Sequence, residues 1–475
     1  MIVMKFGGSS IRDRVSIRRV AEIIKENSFS NRIVVVSAVF GVTDKLEMAI
    51  QDSVSKEDAP EKLIENLKEI HHSLAYGLMS DSATRARVLK RIDSVLNKCM
   101  KILKGVFYTG EATPRVRDSV LSTGERLSSF LVAGVLEEIG VKAVPVETDI
   151  AGMLAQGQQG QGTAVLEKVR ENLHPLFDKM LSDNELPVVT GYFGVNDEGN
   201  VITFGRGGSD YSAAVLARAL DAQYLEIWKD VKGFLTGTPD LVENAKLISE
   251  LSYDEAAELA YFGAKILHPR TVEPLLEKEI PIVIRSTFHP ESSGTWIKSN
   301  SYAKETVAKS VTYDLNTGIL KIYGPNIGYS INLLSEVAAV FNKSNLNIRS
   351  VFTSQTCINV LFNKRDVKEA YQLVQSYSNT SIEHVEKIEC LGLVAIVGHG
   401  MNRDKNVVAE ALLSLTEKRI HVELIISGAS EVASYFLVKE SDVTKAVKSI
   451  HNRLFSKKEI KTDTGEEKWL KLMRR

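Results

Sequence analysis

Cysteine is scarce in this chain. The three cysteines in 475 residues (Cys99, Cys357 and Cys390) lie too far apart to suggest a disulfide framework or a metal-binding spacing, and this usage fits a reducing, cytoplasmic setting. Long apolar runs are missing too. None approaches the roughly 20 residues that a membrane helix requires, and the first residues enter a strand pattern without a basic-then-apolar leader. Neither sign of charge is in excess. With 59 Lys+Arg against 60 Asp+Glu, the net charge of −1 argues against an overall basic footprint for nucleic acid or an anionic membrane surface. The remaining balance, 44% hydrophobic and 25% charged, is that of an ordinary globular protein. At this length one hydrophobic core does not suffice, and two to four domains are expected.

The most informative stretch is 201–217, VITFGRGGSDYSAAVLA. Its β-branched start (Val201, Ile202, Thr203) predicts a strand end, and the Ala- and Leu-rich text from Ser212 predicts a helix. Between them Gly205, Gly207 and Gly208 let backbone approach a ligand that a Cβ would keep away. Ser209 or Asp210 can cap the helix, whose free N–H groups suit an anion. Arg206 adds a planar fork for a carboxylate or phosphate. No Lys-Ser/Thr pair follows these glycines, so the turn is not a Walker A loop. A second turn of this kind opens the chain: Val3-Met4-Lys5-Phe6-Gly7-Gly8-Ser9-Ser10, with Lys5 at the strand end as a point charge for phosphate oxygens. A strand-to-helix turn that merely needs glycines explains either one alone. Two of them, one with Lys and one with Arg and Asp, predict one anion site gripped from both sides.

Four segments, KFGGSS (5–10), LSTGERLSS (121–129), FGRGGSDYSA (204–213) and AYFGAKILHPRTVEP (260–274), resemble in order the signature segments of aspartate kinases, within the amino acid kinase family. The resemblance implies an α/β catalytic domain with a mainly parallel sheet sandwiched by helices. It implies that L-aspartate is phosphorylated by ATP with Mg²⁺ to 4-phospho-L-aspartate, the first step towards lysine, threonine and methionine. Under it Glu125 contacts the substrate amino group and Lys265 a phosphate. The residues themselves fit such chemistry. In-line phosphoryl transfer needs positioning and charge cancellation; Lys5 and Lys265 are suitable cations, and Asp210 is expected to organise Lys5 and the metal–phosphate cluster rather than act as a base. An aspartate side chain, with an ordinary pKa of about 3.9, is already ionised at neutral pH and needs no general base. Arg206 and Glu125 together fit an α-amino acid zwitterion.

In chain order, 12–25 predicts an amphipathic helix and 33–38, IVVVSA, a buried parallel strand, so the chain opens with a βαβ unit. Ser37 then falls at the carboxyl end of its strand, where open α/β sheets place ligands, with Gly41 and Thr43 close behind; Ser37, Thr43 and Ser209 are expected at the substrate. Residues 50–105 predict a helical hairpin with His71 and His72 on its surface. The stretch 151–163, AGMLAQGQQGQGT, predicts a mobile loop. A helix over 254–267 carries Lys265 in its last turn. After 296 a Ser-, Asn- and Lys-rich linker (297–313) leads to two similar βαββα blocks, 314–388 and 389–455, which predict ferredoxin-like α+β folds. They resemble the paired ACT domains of aspartate kinases and are expected to pair between subunits, giving a homodimer or dimer of dimers. A charged tail, 456–475, completes the chain.

Two stretches depart from the family pattern. Where relatives commonly read W-T-D-V-x-G-x-Y-x-x-D-P-R, this chain reads WKDVKGFLTGTPD (228–240). Leu235 replaces the aromatic and Asp240 the arginine, while Lys229 and Lys232 are new cations. The nucleotide is thus expected against Lys5, Gly7, Gly8, Ser9, Lys229, Asp230, Leu235 and Lys265. The second departure lies at 347–355, NIRSVFTSQ, where lysine-sensitive relatives usually carry Asp at Arg349 and Glu at Gln355. Arg349, Ser350, Ser354 and Gln355 are the expected effector residues, and Arg349 disfavours lysine if it points into the site. Two other functions stay open: a kinase for another small carboxylate such as glutamate, and a non-catalytic amino-acid sensor that has lost ATP use.

Overall fold

The computed structural model describes residues 1–27, 31–262, 266–299, 307–325, 327–329, 332–377, 381–401 and 406–456. They form two compact units. The first comprises the described residues within 1–234, 247–260 and 266–299.

Its centre is an eight-stranded sheet in the order Glu250–Ser252, Thr295–Lys298, Ile282–Ser286, Leu225–Lys229, Ile2–Phe6, Arg32–Val36, Leu186–Thr190, Ala143–Val146. The six strands from Ile282–Ser286 to Ala143–Val146 are parallel, and the other two run the opposite way. The expected βαβ start is present: Ile2–Phe6 pairs with Arg32–Val36 in register from Ile2 and Arg32 to Phe6 and Val36. The helix between them, Arg14–Glu26, is capped by Asp13, whose carboxylate accepts from Ser16 N at 2.9 Å. Ile17, Val20, Ala21 and Ile24 recur at helical spacing and are buried on the sheet. Ile2, Met4 and Phe6 alternate along their strand and meet the same core from the sheet side. Full burial of a side chain such as Phe6 contributes about 1.5–3 kcal/mol.

The helical hairpin is Ala59–Leu78 and Ser82–Thr109, packed through Leu63, Leu67, Leu74, Val88, Ile92, Leu96 and Leu103. His71 is not on its surface. It is buried, its Nδ1 lies 2.7 Å from Leu67 O, and burial pulls its pKa down to about 4. Its position one turn from Leu67 and Leu74 on the apolar stripe explains this. His72 stays half-buried and meets Asp93 at 2.9 Å.

The second unit contains a six-stranded antiparallel sheet in the order Ser350–Thr353, Cys357–Phe362, Ser310–Tyr323, His384–Val397, Ala433–Lys439, Val422–Ser427. Two 14-residue strands, Ser310–Tyr323 and His384–Val397, pair along their length and serve both halves. This revises the expected boundaries. Val311, from the expected linker, is buried with Val394, Leu415, Phe436 and Ile450 in one core. Leu320 and Ile322, further along the same strand, belong to another core with Val337, Phe341, Val360 and Val367. The boundary at 388/389 likewise falls inside a strand. The two repeats share strands because each long strand has one end in each core. Residues 235–246 and 261–262 also belong to this unit, with Val242 in the core that holds Val311. The tail beyond 456 lies outside the described residues.

Candidate active site

Both glycine turns open onto one cleft of about 730 Å³ in the first unit. Lys5 lies near the carboxyl end of Ile2–Phe6 and pairs in register with Ile227 of the neighbouring strand. Lys229, two residues beyond Ile227, therefore projects from the same face of the sheet. Asp210 comes from the first turn of the helix Gly208–Ala219, where a carboxylate complements the helix dipole. It sits between the two ammoniums, with Lys5 Nζ 2.5 Å from Oδ1 and Lys229 Nζ 3.1 Å from Oδ2. Burial alone raises a carboxylate pKa. Here the charges of Lys229 and Lys5 outweigh it and hold Asp210 at about 2. Burial also pulls Lys5 below its ordinary value, and Asp210 opposes this. Two cations around one carboxylate leave this cluster with a net positive charge that suits an anion, although Lys229 itself lies outside the cleft lining.

The walls are drawn close by the glycines. A Cβ on Gly8 would lie 3.0 Å from Ala38 O. Gly205 and Gly207 have φ of +72° and +73°, which L side chains rarely adopt, and a Cβ on Gly205 would lie 2.7 Å from Gly160 O.

Glu125 stands in the first turn of Thr123–Glu138, 3% exposed, and lines the cleft. Burial pushes its pKa up to about 8 against the pull of backbone N–H donors, Ser209 and Lys5. Ser209 Oγ is 3.4 Å from Oε1, and Oε2 has no hydrogen-bond partner among the described residues. A buried, unpartnered carboxylate oxygen facing a cleft suits a cationic group. Arg206 lies on the rim, exposed, and forms no ion pair among the described residues. Ser37, Thr43, Ser9 and Gly8 also line the cleft.

Other expected positions lie elsewhere. Gly7 is outside the lining, and its N–H donates to Trp228 O at 3.3 Å. Asp230 is exposed and also outside the lining. Leu235 belongs to the second unit, where its carbonyl accepts from Ser310 Oγ at 2.8 Å, and Asp240 lies in the same segment. Lys265 lies outside the described residues, and the helix expected to carry it is Tyr253–Tyr261. The loop 151–163 carries one strand of the hairpin Ala155–Gln156 with Thr163–Ala164, and it is tied by Gly160 N to Asp118 Oδ2 (2.9 Å) and by Gly162 N to Thr203 O (2.9 Å).

Sequence reasoning passed over the lining residues Arg117 and Asp118, whereas Tyr192, at the end of the strand expected over 187–191, was expected near the pocket and lines it. Arg117 pairs with Glu47 at the cleft. Asp118 is fully buried beside it. Tyr192 holds φ of +78°, and burial lifts its hydroxyl to about 12. For Arg117 and Asp118 the only local signal was proximity to the 121–129 segment.

In the second unit the expected effector residues split. Arg349 is committed. Its Nη1 lies 2.6 Å from Asp314 Oδ2, 2.9 Å from Asn316 O and 2.9 Å from Thr317 Oγ1, and its guanidinium lies over the rings of Tyr261 and Phe262 at 5.6 and 5.5 Å. Ser350 begins the strand Ser350–Thr353, and Ser354 and Gln355 are exposed in the turn that follows.

A mainly parallel α/β sheet with a Lys–Asp–Lys cluster beside two glycine turns at the carboxyl ends of its strands is the arrangement in which open α/β proteins bind small anionic ligands. Comparison with known proteins makes this specific. The family model described as Amino acid kinase family matches residues 1–286, and one described as ACT domain matches 394–454. Aspartokinase 1, chloroplastic, of Arabidopsis thaliana is 30% identical over 95% of this chain and 80% of its own length. Lysine-sensitive aspartokinase 3 of Escherichia coli is 28% identical over 96% of this chain and 99% of its own. The crystal structure of E. coli aspartokinase III in complex with aspartate and ADP superposes with a TM-score of 0.80, at 27% identity, over 96% of this chain and 100% of that one. The chain belongs to the amino acid kinase family, among the aspartate kinases that carry C-terminal ACT domains.

Proposed function

We propose that this aspartate kinase transfers the terminal phosphoryl group of ATP to the side-chain carboxylate of L-aspartate, with the roles of individual residues as follows. The observation that carries this reading is the shared cleft, which Lys5, Asp210, Glu125 and Arg206 all line, with Lys229 paired to Asp210 from outside the lining. Lys5 and Lys229 meet phosphate oxygens, and Asp210 holds both ammoniums in place. The N–H groups of the turn at Gly8 and Ser9 add donors. Glu125 takes the α-ammonium of the substrate and Arg206 its α-carboxylate, which leaves the side-chain carboxylate directed at the phosphate end. That carboxylate is ionised at neutral pH, so no proton has to be removed before attack. Among the described residues no group of three metal-ligating side chains occurs, and Asp210 is engaged by two lysines. Mg²⁺ would arrive bound to the phosphates and would supply charge neutralisation beside Lys5 and Asp210. The product enters lysine, threonine and methionine synthesis in the cytoplasm.

The reading is tested by turnover on aspartate against glutamate, with ATP binding measured at equilibrium. Turnover of glutamate alone makes this a different carboxylate kinase, and ATP binding without turnover makes it a sensor. Arg206→Ala is expected to raise KM for aspartate far more than KM for ATP, because a carboxylate fork is lost. A rise confined to ATP moves Arg206 to the other ligand.

The ACT unit carries the allosteric control, and it is expected to pair between subunits. E. coli aspartokinase III has a structure with lysine and aspartate, similar to this chain at 26% identity and a TM-score of 0.80. Here Arg349 is neutralised by Asp314, so its charge does not project freely, yet no unpaired acid replaces it at this position. Lysine at millimolar concentration is expected to leave the rate unchanged. Inhibition by lysine at micromolar concentration would show that another acid receives the ligand.

A further inference from the structure

Two charged side chains of opposite sign, neither of them in the reaction described above, hold the same pair of backbone segments from different sides. Asp118 is fully buried in the helix Pro114–Leu121. Its Oδ2 accepts from Gly160 N and from Thr203 N, both at 2.9 Å, and its Oδ1 accepts from Thr203 Oγ1 at 2.8 Å. Arg270 works on the carbonyls of the same segments. Its Nη1 donates to Phe204 O at 3.0 Å, and its Nη2 donates to Gly162 O at 2.8 Å and Thr163 Oγ1 at 3.3 Å. Its guanidinium is fixed over the Tyr211 ring at 4.8 Å. One carboxylate thus takes N–H groups from 160 and 203, and one guanidinium gives protons to carbonyls at 162 and 204. Between them the segments touch directly: Gly162 N donates to Thr203 O, and Gly205 faces Gly160 O too closely for any Cβ.

We propose that Asp118 and Arg270 are positioning residues that clamp the 160–163 segment to the 203–205 segment and so fix where Arg206 presents its guanidinium on the cleft rim. Arg206 follows Gly205 directly and has no ion-pair partner of its own among the described residues. Among the described residues no ion pair fixes its position, so the backbone that carries it sets its starting point. Gly205, at φ +72°, is the flexible link that the clamp restrains. An unpreorganised guanidinium must lose more freedom on binding, which weakens recognition of the substrate carboxylate without touching the phosphate cluster. The inference rests on the reading that Arg206 binds that carboxylate.

The test is steady-state kinetics on the full chain with both substrates. Asp118→Ala removes three accepted hydrogen bonds and leaves the part-buried Gly160 N–H and the buried Thr203 N–H without this acceptor. It is expected to raise KM for aspartate by a factor on the order of ten or more, with KM for ATP unchanged. Asp118→Asn is expected to rescue to near wild type, since one amide oxygen still accepts both N–H groups and the amide nitrogen can donate to Thr203 Oγ1. The double variant Asp118→Ala with Arg206→Ala should show no higher KM than Arg206→Ala alone, because a clamp acting through Arg206 has nothing left to position. Independent multiplication of the two effects, or a parallel rise in both KM values, overturns the clamp. If Asp118→Ala does not fold, Arg270→Ala carries the same expectations from the other side. A wild-type KM in Arg206→Ala overturns the carboxylate reading itself. A raised KM there with an unaffected Asp118→Ala overturns the clamp alone.

Discussion

Lys5→Ala is expected to lower kcat by a factor on the order of 10² or more, as loss of one preorganised electrostatic contact does in other enzymes. The side chain is 5% exposed and is aimed by its strand at the point where both glycine turns meet, so its charge is fixed before substrate arrives. An ammonium held in place in a site shielded from water stabilises developing charge without reorganisation. The variant should still fold, because Asp210 keeps Lys229 as a partner and is not left as an unpaired buried charge. Thermal unfolding of Lys5→Ala within a few degrees of wild type, together with the kcat loss, is the expected pair of results. Near wild-type kcat in the folded variant would remove Lys5 from the phosphate grip.

Glu125→Gln should have an effect of similar size on aspartate, with opposite consequences for stability. In the empty cleft the group titrates at about 8, so it is largely protonated at pH 7. An α-ammonium requires the carboxylate. Binding aspartate below pH 8 therefore releases a proton, and KM for aspartate should fall by roughly tenfold per unit as pH rises from 6 towards 8, then level off. Glu125→Gln should raise KM for aspartate by a factor on the order of 10² and abolish that pH dependence. In the folded protein the group keeps its proton to higher pH than in the unfolded chain, where it titrates near 4.5. The folded state then binds more protons between these values, and this group's contribution to stability declines as pH rises from about 4.5 to 8. Glutamine carries no such penalty. The Tm of Glu125→Gln relative to wild type should increase between pH 6 and pH 8. A constant Tm difference across that range would mean that Glu125 is already ionised in the free enzyme.

The residues proposed to carry the reaction were legible because they are local. A strand running into Gly-Gly with Lys at its end, and another running into Gly-Arg-Gly-Gly-Ser-Asp, state their chemistry within ten residues. The opening βαβ unit, its helix and the repeated ACT pattern follow from the same short-range spacing of apolar residues. What the spacing could not supply is where a segment packs. Leu235 follows the active-site strand by six residues and reads as part of the nucleotide wall, yet its carbonyl bonds Ser310 and its segment joins the core that holds Val311. The domain boundaries moved for the same reason, since each long strand buries its two ends in different cores.

The convergence of Asp118, Gly160, Thr203 and Arg270 spans 152 residues of chain and has no local signature. The electrostatics belong with this second group. Aspartate at 210 and glutamate at 125 begin with similar ordinary pKa values, and the fold separates them to about 2 and about 8. One is packed between two ammoniums and the other is buried with an unpartnered oxygen. The sequence by itself determined which side chains are available and which short elements carry them. Only the tertiary structure decided which are brought together and which lose their water, because desolvation and charge pairing depend on neighbours that the chain supplies from far away.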